Sequence, residues 1–173
     1  GGLYVGADTF AITNGATDTT HISVDANGHV TKPLQSAFSV TESGSQANIA
    51  VQSTIDLLFD TEVFDVNGDF SSNTFTAPVT GKYLLSINIP INALDNSATF
   101  YYGEIATSNR RYLQIFDMNF SGDLDYKGFG LTLLVDMDAS DTANAKIYQQ
   151  GGSNQSSVNN DAEFNHFTGF LVC

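Results

Sequence analysis

The chain has 173 residues, 42% of them hydrophobic and only 14% charged, which is enough apolar material for a packed core and excludes a disordered protein. Nineteen acidic residues against six basic ones give a formal net charge of −13, and such a surface repels nucleic-acid phosphates and anionic membranes. The single cysteine, Cys173, excludes an intrachain disulfide and a cysteine-based zinc site.

The residue types indicate β structure. Thirteen Phe and seven Tyr, together with many Thr, Val and Ile, suit pleated and half-buried strands, and fifteen Gly supply turns. The densest apolar run, residues 131–135, is far too short to cross a bilayer, so we expect no membrane insertion. Because the sequence begins with Gly1 instead of Met, we expect an upstream portion that carries the partner-binding or anchoring part of the protein.

Residues 1–35 are predicted to form a β-rich neck or stalk. Short apolar or β-branched pieces alternate with Gly, Asn and Asp, at residues 3–5, 9–12, 21–24 and 29–31. Asn27 and Gly28 stand between two alternating runs, which predicts a hairpin with a two-residue turn. Strands this short cannot bury a core alone, so the neck is expected to be stable when three chains wrap around one axis.

Residues 36–173 are predicted to form a separate globular head. Longer strands recur between turn clusters, at residues 37–40, 49–65, 73–78, 82–92, 98–109, 112–120, 128–138, 143–150 and 163–173. Regular strands without helical periodicity predict an all-β sandwich or jelly roll. Pro90, inside one of these runs, predicts an edge strand or a bend.

Aromatic residues and a glycine recur at fixed spacings in the head. Phe59, Asp65 and Phe70 are separated by five and then four residues. A second set follows, and a third lies in the closing stretch: Phe75, Gly81 and Tyr83, then Phe167, Gly169 and Phe170. Rings at these positions fall beside tight turns, where they can fill the space between two sheets.

This pattern resembles the globular heads of complement subcomponent q, which are related to the tumour necrosis factor fold. The resemblance covers about residues 36–173, although the loop between Phe70 and Phe75 is shorter than the family's and Leu85 and Ser140 depart from its pattern. It implies a ten-strand jelly roll that assembles as a compact homotrimer. Residues 21–38 are similar to segments that precede such heads in marine phage and bacterial surface proteins.

No catalytic motif is evident, and we interpret the protein as a non-enzyme. Its three histidines, His21, His29 and His166, lie in predicted strands and are expected at interfaces or half-exposed positions. Neither a nucleophile elbow, nor a zinc-protease helix motif, nor a phosphate-binding glycine loop is present. With nineteen acids, pairs of carboxylates arise by chance, so a carbohydrate-active enzyme is the least favoured alternative.

Calcium is the one cofactor that the sequence leaves open. Asp65, Asn67 and Asp69 resemble the start of a calcium loop, but Phe70 and Thr76 stand where that loop needs Gly and Glu. The remaining metal candidates are two groups of acids in or beside loops, Asp123 with Asp125 and Asp136 with Asp138 and Asp141, which could bind a hard cation at an interface. Solvated loop acids are the simpler interpretation of both groups.

Four residues are candidates for binding a ligand: Tyr101, Tyr102, Arg110 and Arg111. A paired Arg beside aromatic rings can bind carboxylates or sugars, because guanidinium donates in a planar fork and rings stack on apolar sugar faces. The alternative is that these arginines pair with acids of a neighbouring subunit.

The leading functional hypothesis is the trimeric head of a viral tail or capsid fibre, placed on the virion surface or outside the cell. The N-terminal side of the chain would then contact other virion or fibre proteins. Its loops would bind a host-surface glycan or protein during host attachment, or the head would only cap and register the fibre. The alternative is a secreted or cell-surface bacterial adhesion protein with the same head.

Overall fold

The computed structural model describes residues 2–5, 9–16 and 19–173, and it gives only the backbone of residues 2–5. These residues form strands, turns and loops, and none of them belongs to a helix that could span a membrane. The chain divides into two compact units, Gly1–Ser36 and Ala37–Cys173.

The first unit is an antiparallel meander with the strand order β1-β2-β3-β4. Its strands are β1 Gly2–Val5, β2 Phe10–Asn14, β3 Thr19–Val24 and β4 Val30–Thr31. Strand alternation places Phe10 and Ile12 on one face, where they are 36% and 41% exposed, while Ala11 on the other face is buried. The role of this unit as a trimeric neck stays a prediction.

The predicted hairpin around Asn27 is present, but its turn is longer than two residues. Val24 pairs with Val30, so five residues make the connection. The Asp25 carboxylate accepts hydrogen bonds from the backbone N–H groups of Asn27 and His29, both at 2.9 Å. This side-chain cap replaces the tight turn, and Gly28 adopts a φ of 86° within it.

The second unit, called the head below, is a sandwich of two six-stranded sheets. Sheet I has the order β13-β10-β16-β5-β7, with β15 paired to β10. Its strands are β5 Ala37–Thr41, β7 Thr61–Asp65, β10 Gly81–Leu94, β13 Leu124–Met137, β15 Ser157–Val158 and β16 His166–Leu171. Sheet II has the order β12-β11-β14-β9-β8, with β6 paired to β14. Its strands are β6 Thr54–Asp56, β8 Phe70–Ser71, β9 Thr74–Thr76, β11 Ala98–Thr107, β12 Arg111–Asp117 and β14 Thr142–Gly151. The predicted all-β jelly-roll class is confirmed.

Aromatic rings fill the space between the two sheets. The Phe38 ring stacks on Phe70 and Phe75 at centroid distances of 5.1 and 4.8 Å, and it meets Phe167 edge-on at 5.0 Å. The aromatic positions of the sequence pattern that lie in this core are Phe59, Phe70, Phe75, Tyr83 and Phe167, all less than 5% exposed. The sixth, Phe170, points outward and is 44% exposed.

Three glycines permit close approaches in the head. A Cβ on Gly169 would lie 2.6 Å from the Phe38 ring and from Leu85, and a Cβ on Gly81 would lie 2.6 Å from the Cys173 carbonyl oxygen. Gly103 of sheet II faces Phe129 of sheet I, and its Cβ would lie 1.9 Å from that ring.

One predicted strand is wrong, and so is one of the two alternatives predicted for Pro90. Residues 49–65 do not form one strand, because Gln52 adopts a positive φ angle and the chain pairs only at β6 and β7. The edge-strand alternative for Pro90 is wrong, since β10 has β13 on one side and β16 and β15 on the other. The pairing with β16 ends at Asn88 and the pairing with β15 starts at Ile91, so Pro90 occupies the gap between two ladders.

Asp65 has a structural role in the loop that precedes β8. Its carboxylate accepts the backbone N–H groups of Asp69 at 3.1 Å and of Phe70 at 2.8 Å. These bonds hold Phe70 at the start of β8, with its ring in the core. The Asp and Asn residues of this loop therefore shape a turn.

Candidate functional site

The outer face of sheet I carries an apolar belt. The strand register places four residues side by side across this face: Leu134, Leu84, Phe170 and Ala37. Leu134 and Phe170 are 56% and 44% exposed. Their neighbours along each strand point into the core, so strand alternation forces these side chains outward.

Exposed apolar side chains extend this belt at the β7 edge. Phe64 pairs with Ser39 on the outer face and is 50% exposed, and Val66 donates its backbone N–H to the Ala37 carbonyl at 2.9 Å. The name "apolar belt" below means Leu84, Leu134, Phe170, Ala37, Phe64 and Val66. A large apolar patch on an otherwise acidic surface marks an interaction site.

A groove lies farther along the same face, between β10, β13 and the loop before β16. Its cavity volume is about 430 Å³, and its lining includes Pro90, Tyr126 and Phe164. Tyr126 and Phe164 are 70% and 53% exposed. The outer face of sheet I thus has apolar surface at both ends.

The four predicted ligand residues lie on different surfaces. Tyr101 points into the core, is fully buried, and its hydroxyl bonds with the Ser156 hydroxyl at 2.6 Å. Tyr102, the next residue, points to the outer face of sheet II and stacks on Tyr148 at 4.7 Å. Neighbouring residues of a strand face opposite sides, so Tyr101 and Tyr102 cannot share a binding surface.

Arg111 forms an ion pair with a residue of its own chain. Its Nε and Nη2 atoms donate to the two carboxylate oxygens of Glu104 at 2.6 Å each, and Nη2 also donates to the Tyr102 hydroxyl at 3.1 Å. The guanidinium carbon lies 5.8 Å from the Tyr102 ring centroid. Since Glu104 is fully buried, this bidentate pair is a structural element of sheet II.

Arg110 is exposed at the tip of the loop between β11 and β12, and its guanidinium has no partner in the described part of the chain. Asp141 holds this loop in place, because its carboxylate accepts hydrogen bonds from Ser108 Oγ at 2.7 Å and from Asn109 Nδ2 at 2.5 Å. These bonds lower the pKa of Asp141 below its usual value. Of the four predicted residues, Arg110 is therefore the one displayed to solvent as a free charge on an anchored loop.

The predicted metal residues do not come together within one chain. Asp123 and Asp125 lie at the start of β13, and Asp136 and Asp138 lie at its other end, roughly 40 Å away for strand geometry. Asp136 pairs with Lys82, and Asp123 accepts the backbone N–H of Asn96. Among the residues that the structure describes, no group of three or more His, Cys, Asp or Glu side chains is placed to hold a metal.

Besides Glu104, two further buried carboxylates were missed by the sequence reasoning. Asp95 is 2% exposed and accepts four close hydrogen bonds, from Ser97 N, Ser97 Oγ, Ser153 N and Asn154 N. Glu42 is 3% exposed, and neither of its carboxylate oxygens has a hydrogen-bond partner in the described residues. The turn cluster around Asp95 is a visible sequence signal, whereas Glu42 has none.

Neither a protein-family model nor a curated protein matches this chain. Solved structures match it at low identity but over nearly their whole length. The globular domain of zebrafish complement 1qA is 15% identical with a TM-score of 0.55, and the match covers 80% of this chain and 98% of that domain. Murine APRIL is 11% identical with a TM-score of 0.58, covering 80% and 99%. The PRD1 vertex protein P5 is 14% identical with a TM-score of 0.55, covering 81% and 99%. The chain therefore has a complement-q and tumour-necrosis-factor-like fold, as its aromatic pattern predicted.

Proposed function

We propose that this chain forms the homotrimeric, non-enzymatic head of a virion-surface fibre or vertex appendage, with host-surface recognition by exposed loops. The observation that carries the proposal is the apolar belt on sheet I. The similarity to the PRD1 vertex protein P5 supports placement on a virion. The similarity to complement 1qA and APRIL supports a secreted or cell-surface protein as the alternative.

Second and third copies of the chain are the occupants that best fit the apolar belt. Each large side chain of the belt loses apolar surface to water when it is covered, and this burial contributes about 25 cal/mol per Å². The net charge of −13 would keep separate heads apart, so contact is favoured only where charges are absent. The belt is such a region, because its six residues are uncharged.

Placing charges in the belt is expected to dissociate the assembly. The double variant Leu134→Asp/Phe170→Asp should run as a folded monomer in light scattering, where the unchanged protein runs as a trimer. Buried unpaired carboxylates at an interface are strongly unfavourable. Ile115→Asp is the matched control, because Ile115 is 59% exposed on the outer face of sheet II. The proposal fails if the double variant keeps the trimer mass, as the Ile115→Asp control should, or if the unchanged protein is a monomer.

Recognition of a host surface is expected to depend on Arg110. The variant Arg110→Glu should lower adsorption to host cells about tenfold, because one charge-assisted hydrogen bond contributes about 1.5–3 kcal/mol. Its trimer mass and melting temperature should not change, since the Arg110 side chain is exposed and its guanidinium has no hydrogen-bond or ion-pair partner in the described head. Lys127→Glu serves as the comparison, a charge reversal on a different strand of the head. Adsorption that is equal in all three proteins would exclude Arg110 as a recognition residue.

The location of the protein distinguishes the virion protein from the alternative, a secreted or cell-surface adhesion protein. Antibodies raised against the head should label purified virions if the chain is a fibre or vertex protein. Labelling of bacterial cells or culture supernatant, with unlabelled virions, would favour the adhesion protein instead.

A further inference from the structure

Strand β12 is an open edge of sheet II. It stands at one end of the strand order and pairs with β11 alone. Gln114, in the middle of β12, pairs with Gly103, which faces the core, so the Gln114 side chain also lies on the core side. Gln114 is nevertheless exposed. The free side of β12 is therefore open to another strand.

The edge at β12 lacks the features that usually protect a sheet edge, which are charges, proline, irregular pairing and short length. The other end of sheet II, β8, has only two residues. In sheet I, β7 carries Glu62 and pairs irregularly with β5, and β13 carries Asp125 and Lys127. Residues 112–116 of β12 are uncharged and include neither proline nor glycine. Such an edge is a site for pairing with a further strand.

The sequence of β12 is complementary to itself when two copies run antiparallel with Gln114 at the centre. The pairs are then Arg111 with Asp117, Tyr112 with Phe116, Leu113 with Ile115, and Gln114 with its own copy. Opposite charges, two aromatic rings and two branched apolar side chains are the kinds of cross-strand pair that stabilise antiparallel sheets. A shifted register would place the charge of Arg111 opposite Ile115 instead.

The backbone of β12 is compatible with the same register. The Thr107 N–H donates to the Arg110 carbonyl at 2.8 Å, and the Met118 N–H donates to the Thr99 carbonyl at 3.2 Å. Hydrogen-bonded residues alternate along an antiparallel strand, so the even-numbered residues of β12 bond to β11. The N–H and C=O groups of the odd-numbered residues in 111–117 point away from β11. The register centred on Gln114 pairs odd-numbered residues with one another, so these outward groups meet.

The charges of β12 favour a second copy of the chain as the partner. The net charge of −13 opposes contact between most surfaces of two copies. Strand β12 has one cation at its start and one anion at its end, so antiparallel pairing brings opposite charges together at both ends. Arg111 binds Glu104 through Nε and Nη2, and its Nη1 makes no hydrogen bond within the described head. That N–H group is available to the exposed Asp117 of a second copy.

We propose that β12 pairs with β12 of a second copy around a two-fold axis, which joins sheet II of two heads into one continuous sheet. Such a contact is isologous, because both copies contribute the same residues. It is separate from the apolar belt on sheet I, so the inference does not depend on the trimer. One seven-residue edge buries less than a standard interface of about 1,600 Å², so the pairing is weak and appears only in concentrated protein.

Sedimentation over a range of concentrations tests the contact. The mass of the unchanged protein should at least double between about 5 µM and about 500 µM. The variant Leu113→Lys should keep its dilute mass throughout, because a lysine on an edge strand opposes pairing. Val79→Lys is the matched control, since Val79 is 47% exposed and Leu113 is 46% exposed, and its mass should rise like that of the unchanged protein. Circular dichroism should show that both variants are folded.

Disulfide cross-linking tests the register. In a Cys173→Ser background, which removes the exposed native thiol, Gln114→Cys places two cysteines directly opposite each other. Their Cα atoms would be about 4.5 Å apart, within the range of a disulfide. In the Ile115→Cys variant the two cysteines would lie diagonally across the strand pair, too far apart to bond. Under mild oxidation the linked dimer should therefore form about tenfold faster with Gln114→Cys.

Three results would overturn the proposal. The mass of the unchanged protein could stay constant at every concentration. The mass of Leu113→Lys could rise as well, which would assign the contact to another surface. The two cysteine variants could cross-link at equal rates, which would exclude the register centred on Gln114. A monomer in dilute solution that doubles when concentrated would support the β12 contact while excluding the proposed trimer, so the two proposals are distinguished.

Discussion

The variant Gly103→Ala is expected to lose about 3 kcal/mol of its free energy of unfolding. Gly103 lies on β11 of sheet II, and a methyl group there would stand 1.9 Å from the Phe129 ring, which projects from β13 of sheet I. The ring is 3% exposed, so it is enclosed by core side chains that limit its movement. The two sheets would have to separate locally, and urea unfolding followed by circular dichroism measures the cost.

A matched control and a rescue make this expectation specific. Gly128→Ala adds the same methyl group one residue before Phe129, where nothing lies within 4 Å, so its stability should change by less than about 0.5 kcal/mol. Adding Phe129→Leu to Gly103→Ala should recover part of the lost stability, because the smaller side chain leaves room for the methyl group. If the stability changes of Gly103→Ala and Phe129→Leu were strictly additive, this would contradict a contact between the two residues.

The variant Asp95→Asn is expected to lose about 3 kcal/mol at neutral pH. The Asp95 carboxylate joins two loops, since it accepts the N–H and hydroxyl of Ser97 and the N–H groups of Ser153 and Asn154. An amide of the same size has only one oxygen, so at least one of these donors would face an NH₂ group and stay unsatisfied. Thermal unfolding at pH 7 measures the loss, with Asp125→Asn as the exposed control.

Acid unfolding checks the same residue through its charge. Burial by itself would raise the pKa of Asp95, but the hydrogen bonds from Ser97, Asn154 and Ser153 more than offset it and hold the pKa at about 2. The folded pKa is below the unfolded value of 3.8, so this contribution is complete above about pH 4 and is lost as pH falls toward 2. It amounts to about 2 kcal/mol. The unchanged protein should lose more stability than Asp95→Asn over this range, and parallel pH curves would refute the assignment.

The fold could be predicted well because the pattern that indicates it, aromatic residues next to turns, is visible within short stretches of sequence. Phe59, Phe70, Phe75 and Tyr83 recur at spacings that place rings next to turns, and each ring is in the core. The strand predicted at residues 49–65 was wrong because Gln52 adopts a positive φ angle that residue types do not reveal. The Gln52 N–H donates to the carbonyl of Gln149, a residue far along the chain, at 2.9 Å.

The site was harder to predict than the fold. Tyr101 and Tyr102 could have been separated by strand alternation alone, since one of two neighbours must face inward. The bidentate contact of Arg111 with Glu104 depends on the register between β11 and β12, which residue types do not reveal. Glu42 could not have been identified, because its burial requires β16, more than 120 positions later in the chain, to lie beside β5.

The position of β16 also has a consequence for how the head is made. This strand, residues His166–Leu171, pairs with β5 on one side and with β10 on the other, in the middle of sheet I. A ribosome has synthesised β5 and β10 long before β16 appears, so sheet I stays divided, with two unpaired edges, for most of translation. Folding of the head must therefore wait until β16 has left the ribosome, and a chain truncated before residue 166 would expose those edges to aggregation. Only chains that contain β16 would be competent to assemble.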